Sequence, residues 1–250
     1  MYSSDYPLIA VNGMLQTGEQ PGLRLDNRYA EAILSAGGVP LAIPPIGGPA
    51  DLLRLLERID GLLLTGGDDF GTERLGLGPT HPSAHPTPPE QQERDLVLAR
   101  QALDLGLPVL GICYGMQVLG LAGGAGLLQH LPEDRPGARE HSGGIVHDAI
   151  VEPGSKLGRT LGVERLRVVS RHHQALTTPP APWAVVARDE EGLIEGIERP
   201  DLDFVLGVQW HPELSPQGGP NERLFRGLVG AAGIAQQRHA TRPTLQRSRP

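Results

Sequence analysis

The sequence predicts an α/β protein in three layers: a largely parallel central sheet flanked by helices, with additional strands in the second half. Three observations lead there. Short, continuously apolar runs alternate with helical segments through the first half, the βαβα order that packs as a parallel sheet covered on both faces. From about residue 147 the strand-like runs follow one another through turns, with no long helix between them. The composition, 39% hydrophobic with 34 Gly and 24 Pro in 250 residues, suits a globular chain with many turns and enough length for a sizeable core.

Leu8 to Val11 reads as a first strand, closed by Asn12-Gly13. From Asp26 to Ala36, Tyr29, Ile33 and Ala36 share one helical face, and Gly37-Gly38 ends the helix. Val39 to Ile43 forms a second strand, stopped by Pro44-Pro45. Residues 51 to 58 form a short helix, and Gly61 to Leu64 a third strand ending at Thr65-Gly66-Gly67. A loop rich in Pro and His, residues 71 to 89, leads into a helix at 90 to 105. A strand at 108 to 112 follows, then a sharp turn at Cys113 and a helix from near Gly115. In the second half His147–Val151, Leu166–Val169, Trp183–Ala187, Leu193–Ile197 and Phe204–Val208 are strand-like. A last amphipathic helix begins near Asn221, a natural N-cap. No internal repeat or linker interrupts this order, so residues 1–237 are expected to form one domain, followed by a basic tail, 238–250, without fixed structure.

Charge and targeting signals exclude several classes. The net charge is −7, and Arg238, Arg242, Arg247 and Arg249 sit in the tail, which leaves the body more acidic still. An acidic body argues against a nucleic-acid groove. The N-terminal stretch lacks a basic segment and has a short apolar run, and no run elsewhere is long enough to cross a bilayer. No membrane partner is therefore expected. With a single cysteine and no internal disulfide to form, the cytoplasm is the expected compartment.

That cysteine carries the chemistry. Cys113 stands in G-I-C-Y-G, with Gly111 two residues before it and Gly115 two after. A nucleophile at a strained strand-to-helix turn needs small residues at those two positions. A free thiol is only a few per cent ionised at neutral pH, so it also needs a base. Of nine histidines, His211 in G-V-Q-W-H-P-E follows an apolar strand, and Glu213 two residues on can orient its imidazole. Taken alone, the same motif also reads as a surface histidine beside a turn-capping glutamate. In L-T-G-G-D-D, residues 64 to 69, the N–H of Gly67 could join the N–H of Tyr114 as a two-donor oxyanion hole. Taken alone, it also reads as an ordinary strand-to-loop turn.

Together and in this order, these segments resemble class I glutamine amidotransferases, whose fold is flavodoxin-like. Finer motifs resemble the gamma-glutamyl-gamma-aminobutyrate hydrolase branch: L-L-L-T-G-G-D-D at 62–69, L-P-V-L-G-I-C at 107–113, S-x-H-H-Q at 170–174 and F-V-L-G-V-Q-W-H-P-E at 204–213. The segment holding Asp26, Asn27, Glu31, Ala32 and Ile33 fits as well. The resemblance implies that Cys113 attacks the γ-carbonyl of a γ-glutamyl amide and that His211 moves the proton. A γ-glutamyl thioester is then hydrolysed to glutamate. It further implies that Gln117 holds the glutamyl group and that His172, His173 and Gln174 line the substrate pocket. A small γ-glutamyl molecule is the expected partner, with room for a homodimer.

No organic cofactor is expected. No metal is expected either, because the pairs His172-His173 and His141…His147 lack an accompanying cysteine or an H-x-x-E-H-type pattern. The residue after the nucleophile is Tyr114, where the branch often has Arg, and Val169 stands where it commonly has Asn. These departures leave the leaving amine open. They also leave two rivals, a glutaminase subunit supplying ammonia to a synthetase and a non-catalytic binding protein on the same fold.

Overall fold

Residues 6–216 and 218–240 are described by a computed structural model. In chain order the elements are β1 (Leu8–Asn12), β2 (Met14–Gln16), β3 (Gly22–Arg24), α1 (Asn27–Ser35), β4 (Val39–Ile43), α2 (Pro49–Leu56), β5 (Gly61–Leu64), α3 (Pro89–Asp104), β6 (Val109–Ile112) and α4 (Tyr114–Ala122). The second half holds β7 (Leu127–Leu128), α5 (Leu131–Asp134), β8 (Ile145–Val151), α6 (Lys156–Leu161), β9 (Arg165–Ser170), β10 (Ala175–Leu176), β11 (Ala184–Asp189), β12 (Ile194–Glu198), β13 (Val205–Val208) and α7 (Glu222–Ala240). Short 3-10 turns occupy Glu73–Leu75 and Pro212–Leu214.

One nine-stranded sheet runs through the molecule in the order β4-β1-β5-β6-β13-β12-β11-β8-β9. Its first five strands are mutually parallel, and β12, β11, β8 and β9 continue it antiparallel. The additional strands of the second half therefore extend the same sheet. The hairpin β2–β3 and the pair β7–β10 were not apparent in the sequence, because runs of two or three residues are too short for a period to register.

Alternation along the parallel strands builds the three layers. Ile9, Val11, Leu63, Leu110 and Leu206 face a core shared with α1, α6 and α7. Ala10, Leu62, Leu64, Val109 and Val205 face α2, α3 and α4 on the other side. Helix α4 lies unusually close to the sheet: a Cβ on Gly115 would sit 2.2 Å from the Leu64 carbonyl oxygen, and one on Gly111 2.6 Å from that of Gly115. Both glycines that flank Cys113 are thus required by backbone contact.

Helix starts follow the expected chemistry with one exception. Asp26 caps α1 by accepting from the Arg28 N–H at 3.0 Å. Asn221 directly precedes α7, but its side chain does not cap it. Asn221 Oδ1 accepts from the Trp210 indole at 2.9 Å and Nδ2 donates to Ser215 at 2.7 Å, which holds the segment after β13 against the helix start. Helix α7 continues to Ala240, so the first residues of the expected tail are helical, and Arg238 pairs with Asp203. Residues 241–250, the rest of that tail, lie outside the described residues. Among the described residues no helix is long and apolar enough to cross a membrane.

Candidate active site

The parallel half has its topological switch point between β1 and β5. The chain leaves β1 for β4 on one side, and leaves β5 for β6 on the other. Ligands in open α/β sheets bind outside the carboxyl ends of strands at such a point. A cleft of about 370 Å³ lies there, lined among others by Met14, Tyr29, Gly66, Gly67, Arg171, His211 and Glu213. Asn12 at the end of β1 ties the two strand ends together: its Oδ1 accepts from the Thr65 N–H at 2.7 Å, and its Nδ2 donates to Asp95 on α3 at 3.3 Å.

Cys113 follows β6 and is the only non-glycine residue with positive φ among the described residues (φ 51°, ψ −107°). Such a conformation costs of order 1–3 kcal/mol and persists only where the surroundings enforce it. Here they do: the Cys113 N–H donates to Val208 O at 2.8 Å, the Gly115 N–H to Thr65 O at 3.0 Å, and α4 is pressed on the sheet. Cys113 is 6% exposed and is a free thiol.

His211 emerges three residues past the end of β13, the strand beside β6. Its Nδ1 is 2.6 Å from Glu213 Oε1, which leaves Nε2 for the thiol side. Burial pulls the pKa of His211 down. Attraction and hydrogen bonding to Cys113, with Glu213 behind the ring, outweigh burial and push it up to about 10. The imidazolium is therefore the favoured form at neutral pH. Gly66 makes room for this arrangement, since a Cβ there would meet His211 Cε1 at 2.8 Å and the Tyr29 hydroxyl at 2.9 Å.

Two contributors escaped the sequence reading. Tyr29, read as a core residue of α1, is buried as expected, yet its hydroxyl donates to Glu213 Oε1 at 3.1 Å and accepts from the Gly66 N–H at 3.0 Å. Burial first, and then the Glu213 charge, raise its pKa, so it remains a donor. Gln209, fully buried, donates from Nε2 toward Cys113 Sγ at 3.5 Å. The invisible signal was distance, because Tyr29 and Glu213 are 184 residues apart and Gln209 and Cys113 are 96 apart. Only the Gln in G-V-Q-W-H-P-E, two residues before His211, hinted at the second.

The remaining expected site residues separate. Gly67 lines the cleft, and neither its N–H nor that of Tyr114, the first residue of α4, has an acceptor among the described residues. The Tyr114 ring faces inward, stacked on Phe70 with centroids 4.6 Å apart, and its hydroxyl donates to Asp95 at 3.1 Å. Burial pushes the Asp95 carboxyl up to about 6. Gln117 Nε2 donates to Gln174 O at 2.9 Å and to Gln209 Oε1 at 3.2 Å, so it supports Gln209 from behind.

The H-H-Q segment does not act as one pocket lining. Gln174 is turned away, its amide engaged with both backbone groups of Phe70 at 2.7 and 3.1 Å. His172 is buried against Glu195, at 3.6 Å, and away from Cys113's neighbours His211 and Glu213. Neither residue belongs to the cleft lining, which corrects that expectation. A single strand-end segment alternates direction, and these two side chains fall on its inner side. His173 is half-buried, with Nε2 2.9 Å from Asp69, whose carboxylate raises its pKa.

Comparison with known proteins agrees with the geometry. The sequence profile of the Peptidase C26 family matches residues 7–213. A protein of Mycobacterium tuberculosis that carries a provisional glutamine amidotransferase name is 39% identical over 223 residues, 86% of this chain and 70% of that one. The gamma-glutamyl-gamma-aminobutyrate hydrolase of Escherichia coli is 32% identical over 224 residues, 83% of this chain and 85% of that one. Among solved structures, a GMP synthase protein from Thermoplasma acidophilum superposes with a TM-score of 0.66 at 17% identity, covering 94% of this chain and 98% of that one. That likeness carries the class I glutamine amidotransferase fold.

Proposed function

The chain belongs to the Peptidase C26 family, a class I glutamine amidotransferase-like group, and on that premise we propose that it hydrolyses the γ-glutamyl amide bond of γ-glutamyl amines such as γ-glutamyl-GABA. The observation that carries the reading is the strained Cys113 beside an imidazole whose far nitrogen is 2.6 Å from Glu213. Nucleophile, base and orienting carboxylate are what acyl transfer through a thioester needs.

In this reading the Cys113 sulfur attacks the γ-carbonyl carbon. The developing oxyanion takes the N–H groups of Gly67 and Tyr114, which nothing else engages. His211 gives its proton to the leaving nitrogen, the C–N bond breaks, and the amine departs. Water, deprotonated by His211, adds to the thioester carbonyl, and the C–S bond breaks. Glutamate leaves, and the thiol is restored. Tyr29 and Glu213 keep the imidazole in place through both halves.

Arg171 serves as the counter-ion for a substrate carboxylate. It lines the cleft and has no ion pair among the described residues, whereas Arg24 and Arg28 beside it are paired with Asp68 and Asp26 at 3.2 and 2.5 Å. The relatives with amidotransferase names favour a second reading, a glutaminase that passes ammonia to a partner. Glutamate release from γ-glutamyl-GABA, other γ-glutamyl amines and glutamine decides between them. The proposal expects turnover of γ-glutamyl amines by the isolated chain. Turnover of glutamine alone supports the second reading, and turnover by Cys113→Ala at the wild-type rate removes both.

A further inference from the structure

Within the antiparallel half, His141, His147, His172, Glu195 and Asp189 meet in the interior, with side chains between 0 and 3% exposed. The proposed hydrolysis uses none of them. Three imidazole nitrogens surround one carboxylate oxygen: His141 Nδ1, His147 Nε2 and His172 Nε2 each lie 3.6 Å from Glu195 Oε1. That distance is too long for an N–H···O hydrogen bond, which spans about 2.7–3.2 Å. It is close to the separation of about 3.3 Å between ligand atoms that share a tetrahedral ion through bonds of about 2.0–2.1 Å. The donor atoms of His141, His147 and Glu195 all lie within 4.8 Å of one another.

The second nitrogen of each ring points to the same conclusion. His172 Nδ1 is 3.0 Å from Gln174 O, His147 Nδ1 3.2 Å from Asp148 O, and His141 Nε2 3.3 Å from Asp189 Oδ2. A carbonyl or carboxylate beyond the ring fixes the tautomer in which the inner nitrogen carries a lone pair, as metal-bound histidines are held. Ser170 gives the inner nitrogen of His141 no proton: its hydroxyl lies 3.4 Å from Nδ1 and donates to His141 O at 2.6 Å. The inner nitrogens of His147 and His172 and both oxygens of Glu195 have no hydrogen-bond partner. Lone pairs are thus brought face to face around a buried carboxylate, an arrangement that costs several kcal/mol unless a cation sits among them.

We propose that this cluster is a closed, structural site for one divalent transition-metal ion of the zinc class, held by His141, His147 and Glu195 with His172 as the fourth donor. Three imidazoles and a carboxylate suit such an ion, and a site sealed from solvent has no open position for catalysis. The donors come from the approach to β8, from β8, from the segment after β9 and from β12. The ion therefore ties together strands whose ends carry Arg171 and His173 to the cleft. This reverses the sequence-based expectation of no metal, which rested on local ligand spacing. Here no two of the four donors are nearer than six residues in the chain.

The test uses tag-free full-length protein with Cys113→Ala, so that the thiol cannot be a ligand and the outcome is independent of the hydrolase reading. After chelation and dialysis, Co2+ is titrated while visible absorption is followed, and Zn2+ is added in parallel while Tm is measured. The proposal expects intense tetrahedral d–d bands saturating at one equivalent, an upward shift of Tm with Zn2+, and loss of both in His147→Asn and Glu195→Gln. A chelated protein that stays folded by circular dichroism yet gives neither bands nor a Tm shift overturns it. So do bands that survive unchanged in folded His147→Asn, since the ion then lies elsewhere. If those variants do not fold, the titration of the parent protein decides by itself.

Discussion

Two histidine–carboxylate assemblies occupy the two halves of one sheet, and they differ in the distance between the partners. In the parallel half His211 and Glu213 are 2.6 Å apart, beside a cleft and with a tyrosine hydroxyl completing the bond network. In the antiparallel half the imidazoles stand 3.6 Å from Glu195, sealed from solvent, with the facing atoms unpartnered. The residue types are the same. A short, oriented contact at a strand end can move a proton to something that enters the cleft, whereas a wide ring of lone pairs in the interior can only surround a cation. Position in the sheet explains the contrast, because parallel strands release their chain at one edge while antiparallel strands bury their middles.

The sharpest way to break this comparison is at the nucleophile. Cys113→Ala should lower glutamate release by about 10⁴-fold or more, as removal of a nucleophile does in hydrolytic triads, with the fold retained by circular dichroism. A residual rate within tenfold of wild type would mean that the parallel half is not the reacting half. Next in size, Glu213→Gln should lower kcat/KM by about 10²–10⁴-fold, the range for loss of the orienting carboxylate. The pH profile sharpens it. Folding raises the pKa of His211 from its ordinary 6.5 to about 10, so the stabilising imidazolium is fully present below about 6.5 and is lost as pH rises through about 10. The alkaline limb of kcat/KM should therefore lie near pH 10 in the wild type and move down in Glu213→Gln.

Backbone packing offers a third test. Gly115→Ala places a Cβ 2.2 Å from the Leu64 carbonyl, a contact that backbone must yield to. A loss of about 1–3 kcal/mol in urea unfolding is expected, with activity falling further because the turn at Cys113 moves. Glu195→Gln, the counterpart of Glu213→Gln in the other half, should change kcat by less than about tenfold at saturating substrate while lowering Tm in metal-replete buffer, a fall that a cavity-neutral swap would not otherwise cause. A loss of kcat as large as that in Glu213→Gln would erase the distinction between the halves. The smallest effect belongs to Arg171→Ala, which should raise KM about 5- to 10-fold with kcat unchanged, since a lost charge-assisted contact at a partly solvated site is worth about 1 kcal/mol.

How much of this could be read beforehand varied with the range of the interaction. The turn at Cys113 was legible because its signal, glycines at two residues on either side, is local and is enforced by backbone contact with Leu64 and Gly115. The four inner parallel strands were legible for a similar reason, since each is buried on both faces and therefore almost uniformly apolar. Tyr29 was assigned to the core correctly and its hydroxyl overlooked, because nothing within a helical turn says that Glu213 waits above it. Gln174 and His172 were drawn toward the substrate by the company of His173, but a single step along an extended segment reverses the side-chain direction. The hairpin β2–β3, whose Met14 and Arg24 line the cleft, was too short to show a period.

From its sequence alone this protein was determined to be an α/β chain with a glycine-flanked cysteine at a strand-to-helix turn and a histidine and glutamate at a later strand end. Those features depend on periodicity and on neighbours a few residues away, which any stretch of chain displays without folding. Only the tertiary structure decided that Tyr29 and Gln209 serve the site, that Tyr114 points inward to Asp95, and that His141, His147, His172 and Glu195 converge on one point. Each of those contacts joins residues brought together by sheet pairing and layer packing, and the order of strands in the sheet is not the order of strands in the chain.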